Sequence, residues 1–449
     1  MVERETWATR LGFILAAIGS AVGLGNIWRF PFQTASSGGS AFLAVYLLAV
    51  VVIGIPTILA EFVIGRRSHL DAINAFRRLG RPKWWFVGAI GVVGSFWTLS
   101  YYSVVGGWVI RYVVGSLNGN ALTAPGDYFG AVSAGPEAVA FHAAFMLVTV
   151  VIVAFGIERG IELATKFMVP SIVVLLLGLA VFAATLPGSG QGYEFLLAFD
   201  ASAIADNAAQ VIPAAVGQAL FSLSLGFSVM ITYASYIGKD DNLVTDGLTI
   251  AVANTFVGVL AGLVVLPLLA TQTGDPGSGG PGAVFVAIPT ALANLPAGRA
   301  IGVVFFLVVL IAALSSSISL LEAVTSYIVD RGYSRMPTAA GLGGIVFLLG
   351  VPSAWDTAWL GWFDGISVSL FLPIAVLLVV LFVGWVMGRD AADELRQGMS
   401  TEGIAPVWLW ALRTFVLVAV VGVVALNLYD LFTVSSPDDA VYILPPPFR

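Results

Sequence analysis

Long apolar stretches separated by short polar ones run from one end of this chain to the other. A helix needs about 20 apolar residues to cross the ~30 Å hydrocarbon layer of a bilayer. Runs of that kind lie near residues 11–34, 40–64, 86–116, 137–156 and 163–185, and again near 208–237, 242–271, 299–329, 338–351, 360–388 and 405–432. The pattern thus predicts eleven transmembrane helices, the ninth being short and glycine-rich. The runs are continuous and lack the period-two alternation of a membrane barrel. The expected fold class is an all-α integral membrane protein with a single membrane domain over 1–449. Its longest polar stretches, 117–136, 186–207 and 272–298, read as connecting loops on the outer side.

Composition narrows the function classes. Charged residues make up 10% of the chain, against about 25% in an average soluble domain. Hydrophobic residues reach 59%, more than a soluble core can hide, since cores stop growing near ~250–300 residues. The absence of cysteine excludes disulfides and thiolate chemistry, and two histidines, His69 and His142, argue against a His-ligated zinc or haem. A net charge of −6 provides no polybasic tail for nucleic acid. With the N-terminus cytoplasmic, 16 of the 20 Lys and Arg residues fall on the inner side, leaving Arg29, Arg111, Arg299 and Arg449. This satisfies the positive-inside rule, and an odd number of spans puts the C-terminal tail from Val434 outside. The first apolar run continues into Arg29-Phe30-Pro31 with no small-residue cleavage site, so a signal peptide is not expected. Arginine far outnumbers lysine and the pI is near 5.0, as in a GC-rich or halophilic prokaryote.

Two of the expected helices are interrupted at mid-membrane. The first carries Gly19-Ser20-Ala21-Val22-Gly23-Leu24-Gly25-Asn26 and the sixth Ser222-Leu223-Ser224-Leu225-Gly226. Irregular backbone at that depth is tolerated only where it lines protein or a water-filled cavity. The two helices begin corresponding halves, 11–185 and 208–388, with 405–432 left over. Broken helices in matching positions point to an inverted-repeat transporter with a midplane site. Glycines that merely allow close helix packing fit the composition equally well.

The residues themselves resemble a known family. Trp7-Ala8-Thr9-Arg10-Leu11-Gly12, then Ala21-Val22-Gly23-Leu24-Gly25-Asn26-Ile27-Trp28-Arg29-Phe30-Pro31, look like the first helix of neurotransmitter:sodium symporters, in particular the prokaryotic amino-acid transporters among them. Gly217-Gln218-Ala219-Leu220-Phe221-Ser222-Leu223-Ser224-Leu225-Gly226-Phe227 and Ile231-Thr232-Tyr233-Ala234-Ser235-Tyr236 are similar to its sixth helix, and the likeness covers nearly the whole chain.

The resemblance implies a 5+5 inverted repeat with discontinuous helices 1 and 6, and inward sodium flow coupled to amino-acid uptake by alternating access. It implies a first sodium site at the Ala21 carbonyl, Asn26, Ser222 and Asn254, with the substrate carboxylate as a further ligand. A second would use carbonyls of Gly19, Val22 and Ala312 with the hydroxyls of Ser315 and Ser316. Both are chemically sensible, because a hard cation wants several oxygens and unwound carbonyls supply them. The rival reading of the serine run Ser315-Ser316-Ser317 is back-bonding to helix carbonyls.

By the same resemblance, the substrate pocket comprises Ala21, Leu24, Gly25, Thr98, Tyr102, Phe221, Ser222, Ser224, Phe227, Ser316 and Leu320. Gly23 stands where amine carriers have an acid, so the substrate would bring its own carboxylate. Tyr102 would donate to it, and the uncharged subsite of Leu24, Phe227 and Leu320 suits a neutral, hydrophobic amino acid. Another small zwitterionic amino-acid derivative is the alternative. Arg29 and Asp364 would form the outer gate, Arg4 and Asp330 the inner one. Glu61 is expected to anchor the unwound segments, while Arg111 and Arg413 snorkel to the interfaces. Sodium-only relatives have an acid one turn beyond Asn254, where this chain has Gly258. Tyr46, Gln218 and Ser222 match the surroundings of an anion there, so chloride dependence is expected.

Two other classes compete. A gated ion channel could use the same broken-helix site without alternating access. An intramembrane enzyme would need a nucleophile or an acid–base pair, and the chain has no HExxH, no GxSxG and no Ser-His or Asp-Asp constellation. The oligomeric state is left open by the sequence.

Overall fold

The structure is a computed structural model that describes residues 5–273, 283–399, 403–433 and 445–446. Among them every regular element is a helix. Nine helices are long and apolar enough to cross a membrane: Ser40–Ser68, Pro82–Asn118, Pro136–Ala154, Ile157–Ala184, Leu243–Thr271, Gly298–Val329, Arg335–Trp355, Thr357–Met387 and Ile404–Tyr429. A tenth arises from Arg10–Ala21 and Gly25–Ser36, bent by 46° at their junction. The remaining expected span is in two pieces, Ala208–Ser222 and Val229–Ala234. In chain order these are spans 1 to 11, each within a few residues of the sequence expectation except the fifth, which begins at Ile157, six residues before the expected 163.

The outer connections depart from expectation. Stretches expected as plain loops contain short helices, Asn120–Thr123, Pro125–Val132, Gly190–Leu197, Ala201–Asp206 and Ala283–Ala293. A search for membrane-length runs passes over such pieces. Local signals mark some of them, such as Asp200, whose carboxylate accepts the Ser202 N–H and caps the helix it begins. On the opposite side lie Ala72–Arg78 and Arg389–Arg396.

Spans 1, 2, 6 and 7 pack on one another, and spans 3, 4, 8 and 9 form a second group, with span 3 lying most extensively along span 8. The contacts have counterparts five spans apart. Span 1 packs on span 7 as span 6 packs on span 2, and span 3 packs on span 9 as span 8 packs on span 4. An offset of five spans reverses direction across the membrane, so the packing is consistent with an inverted repeat. The two broken spans meet in the first group, against the wall formed by spans 3 and 8.

Candidate substrate and ion site

The first break begins where Ala21 ends its helix and Val22 turns extended at φ −81° and ψ 95°. The Leu24 N–H, which in a continuous helix would bond the Ser20 carbonyl, donates instead to the Tyr102 hydroxyl of span 3 at 3.1 Å. The Ser20 carbonyl is taken up by hydroxyls from two other spans, Ser224 at 3.0 Å and Ser316 at 2.8 Å. Exchanging backbone partners for side-chain partners satisfies the rule that buried polar groups must be paired.

The second break runs from Leu223 to Ser228, between the helices ending at Ser222 and beginning at Val229. Three of its residues have positive φ: Ser224 at 53°, Gly226 at 80° and Ser228 at 59°. Gly226 donates its N–H to Glu61 Oε1 of span 2 at 2.7 Å, and the Phe227 carbonyl accepts the Ser95 hydroxyl at 2.5 Å. Glu61 thus ties down unwound backbone and takes no part in lining the cavity.

Between the breaks lies a cavity lined by Ala21, Gly25, Thr98, Tyr102, Phe221, Ser224, Phe227, Ser316 and Leu320, together with Ser20 and Gly23. The first nine belong to the expected pocket; Ser20 and Gly23 do not. Leu24 and Ser222 do not line it: Leu24 is buried behind its N–H bond to Tyr102, and Ser222 faces span 7. Thr98 is hydrogen-bonded to Ser367 of span 10. No charged side chain lines the cavity among the described residues, and Phe221 and Phe227 meet edge to face at 6.1 Å over its apolar end. The cavity measures about 20 Å³, the room of roughly one water molecule. A larger guest therefore requires the lining to move apart.

Beside the cavity, Asn26, Ser222 and Asn254 converge. Asn26 Nδ2 donates to the backbone and side-chain oxygens of Asn254 at 3.0 and 2.8 Å. The same end of the Asn254 amide stands 3.1 Å from the Ala21 carbonyl and 2.9 Å from the Ser222 carbonyl. With its oxygen turned there, neutral oxygens crowd together with no hydrogen between them, an arrangement that a cation relieves. Turned over, its nitrogen donates to both carbonyls. The four expected members of the first ion site are thus adjacent, and their chemistry fits a hard cation.

At the second expected site, Ser315 donates to the Ala312 and Val22 carbonyls at 2.9 and 3.2 Å. Gly19 stands close enough that an added Cβ would lie 3.4 Å from Ser315 Cβ. Ser316 is turned away from this group, to Ser20 and the cavity. Its hydroxyl therefore belongs to the cavity wall and contributes nothing to the second group as the chain stands. At the expected anion position, the Tyr46 hydroxyl meets Ser222 Oγ at 3.2 Å, and Gln218 Nε2 donates to the Gly25 carbonyl at 2.8 Å while its Oε1 has no partner. A Cβ on Gly258 would stand 3.4 Å from Asn26 Nδ2.

On the side expected to face outward, Arg29 and Asp364 form an ion pair at 3.3 Å, Tyr101 donates to Asp364 at 2.9 Å, and the Arg29 guanidinium lies over the Phe221 ring at 5.1 Å. On the inner side, Arg4 lies outside the described residues, and the Asp330 carboxylate accepts the Asp71 N–H at 2.8 Å. The described contacts there bring Trp7 and Tyr236, expected near the inner gate, together with Arg335 and Glu5, which the sequence did not single out. Arg335 bridges Glu322 at 2.6 Å and Glu5 at 2.8 Å, and Tyr236 donates to Glu322 at 2.9 Å. Trp7 packs edge-on against Tyr233 and donates its indole N–H to the Tyr233 carbonyl at 3.0 Å. Arg111 and Arg413, expected to snorkel to the interfaces, have partners: Arg111 pairs with Glu137, and Arg413 donates to the Gly384 carbonyl at 2.6 Å.

The sodium:neurotransmitter symporter family matches this chain over residues 4–124 and 134–446. The chain belongs to that family. It is therefore a multi-pass membrane transporter coupled to sodium, and not an enzyme. A sodium-dependent transporter of Bacillus subtilis, YhdH, is 33% identical, the alignment covering 95% of this chain and 98% of the relative. A mouse sodium- and chloride-dependent neutral and basic amino acid transporter, B(0+), is 24% identical over 98% of this chain and 81% of its own. The crystal structure of MhsT in complex with L-phenylalanine superposes with a TM-score of 0.87 at 39% identity, covering 95% of this chain and all of that one.

Proposed function

We propose that this transporter imports neutral, hydrophobic amino acids together with sodium by alternating access. The observation that carries this reading is the cavity itself, with uncharged Phe221, Phe227 and Leu320 at one end and the Tyr102 and Ser316 hydroxyls at the other. Tyr102 already accepts the Leu24 N–H, so its own hydrogen is available for a substrate carboxylate. That carboxylate, beside Ala21, would complete the first sodium shell with Asn26, Ser222 and Asn254, which makes ion and substrate binding interdependent. Gly19, Val22, Ala312 and Ser315 would hold a second sodium, with Ser316 joining once it leaves Ser20. The solved relative bound to L-phenylalanine supports an apolar side-chain subsite.

In this reading Arg29 with Asp364 closes the outer path, and Arg4 with Asp330 works beside the Arg335 cluster on the inner one. The N-terminus is cytoplasmic and the C-terminus extracellular, and residues 11–185 and 208–388 are the two repeats. Tyr46, Gln218 and Ser222 hold chloride, which does the work of the acid absent at Gly258. Competition binding tests the substrate class: radiolabelled L-phenylalanine bound to purified protein in sodium is expected to be displaced by neutral amino acids and not by monoamines. Displacement by a monoamine as strong as by L-leucine, or binding of equal strength in potassium, contradicts the reading.

A further inference from the structure

A second concave site lies far from the substrate cavity, where helix Arg389–Arg396 meets the start of span 11. This groove of about 370 Å³ is lined by Arg389, Arg396 and Arg413, with Asp393 and Trp410 among its other walls. Arg396 is paired with Asp393 at 2.5 Å. Neither Arg389 nor Arg413 has a carboxylate partner among the described residues. Arg413 donates its Nε to the Gly384 carbonyl, and one of its terminal nitrogens lies beside Gly388. Both guanidinium side chains thus line one groove.

The surroundings indicate what kind of anion fits. Helix Arg389–Arg396 is tied to the end of span 2 by Arg66, which donates to Glu394 Oε1 at 2.7 Å, so the groove is on the same side of the membrane as the N-terminal ends of spans 1 and 7. Trp385 and Trp410 flank it at 60% and 59% exposure, as tryptophans do at the headgroup level of a bilayer. Three turns further along span 11 and on the same helix face as Trp410, Val421 is also outward-facing. A soluble anion has no use for that apolar strip; an acyl chain does. Both flanking spans also carry a π turn at this depth, Phe382–Met387 and Leu412–Val416, a local widening often found at functional sites.

We propose that this groove binds the phosphodiester headgroup of an anionic phospholipid, with Arg389 and Arg413 on the phosphate oxygens and the acyl chains along span 11. Arginine suits the task because its fork of donors matches phosphate oxygens two at a time. The occupant comes from the surrounding leaflet, and the inference is independent of which amino acid the protein carries.

The test uses the full-length protein in dodecyl maltoside, titrated with dioleoylphosphatidylglycerol or dioleoylphosphatidylcholine and read by native mass spectrometry. The wild type is expected to retain one phosphatidylglycerol in preference to phosphatidylcholine. Arg389→Gln should weaken that retention about fivefold, on the basis of roughly 1 kcal/mol per basic residue near an anionic surface. Arg389→Gln with Arg413→Gln should weaken it about twenty-fivefold, and Arg389→Lys should retain most of it. Arg389 is exposed and makes no side-chain bond to the described residues, so its single variant reads binding with the fold intact. Equal retention of the two lipids by the wild type, or unchanged retention in Arg389→Gln, overturns the proposal. So does competition by inorganic phosphate or glycerophosphoglycerol as strong as by the intact lipid, because the site would then take a soluble anion.

Discussion

Asn254 and Ser222 sit where an ion and a substrate would share a boundary, and their neighbours are all neutral oxygens or amides. Losing one hydrogen-bonding or ligand contact to a charged group typically costs about 1.5–3 kcal/mol. Ser222→Ala and Asn254→Ala are accordingly expected to lower sodium affinity and substrate affinity together by about tenfold or more, read as sodium titrations of bound radiolabelled amino acid. A change in one affinity without the other would mean that the carboxylate is not shared. Tyr102→Phe removes the hydroxyl that accepts the Leu24 N–H and faces the cavity. Substrate affinity should fall about tenfold, with sodium binding in the absence of substrate little altered; equal loss of both would point to collapse of the first break. At this scale the sequence pointed to positions that the structure brings to the breaks: Asn26 and Ser222 lie in the two broken spans, and Glu61 of span 2 ties down the second break. It was silent on the Glu5–Arg335–Glu322 cluster. Those charges lie far apart along the chain, and only the packing of spans 8 and 9 against the N-terminal segment brings them together.

The span boundaries were legible because the bilayer imposes a length on every apolar run, and the breaks because small residues and glycines gather there. What the pattern could not convey was the exact path of the unwound backbone. Val22 to Leu24 and Leu223 to Ser228 are the irregular residues, and the carbonyl exchange at Ser20 depends on hydroxyls from spans 6 and 8. Gly226 is the position where that path is least forgiving. Its φ of 80° lies in the left-handed region, and an added Cβ would stand 2.7 Å from the Leu372 carbonyl oxygen of span 10. Gly226→Ala should destabilise the protein by about 1–3 kcal/mol and abolish uptake, seen as a lower thermal unfolding midpoint together with lost transport. A variant that unfolds and transports like the wild type would mean that the break is not held in this geometry. The Arg29–Asp364 pair, proposed as the outer gate, is likewise a contact between elements, spans 1 and 10. Asp364→Ala leaves Arg29 without its carboxylate and Tyr101 without its acceptor. Uptake is expected to fall at least tenfold while initial sodium-dependent binding falls less than threefold; exposed salt-bridge energies are small, so the effect belongs to closure and not to stability. Equal losses in both assays would place Asp364 in the binding step.

At the scale of the molecule, two groups of spans, 1, 2, 6 and 7 and 3, 4, 8 and 9, meet at the cavity, which is closed on both sides by contacts that cross between elements. A closed cavity with room for about one water must open for cargo to pass, and in the proposed alternating-access cycle it would open to one side at a time. That requirement connects the gates, the ions and the substrate in a single cycle. In the proposed cycle chloride would act beside Gly258: if an anion stands in for the missing acid, replacing chloride by gluconate should reduce uptake several-fold, and Gly258→Glu should restore it. Unchanged uptake in gluconate would remove chloride from the account. The central claim, sodium-driven amino-acid import, is tested most directly in proteoliposomes loaded with potassium and diluted into sodium, with uptake of radiolabelled L-phenylalanine followed over time. The account predicts transient accumulation above the external concentration, saturable in substrate and lost when sodium is equal on both sides. Entry that only equilibrates with the outside, at a rate indifferent to the sodium gradient, would contradict it.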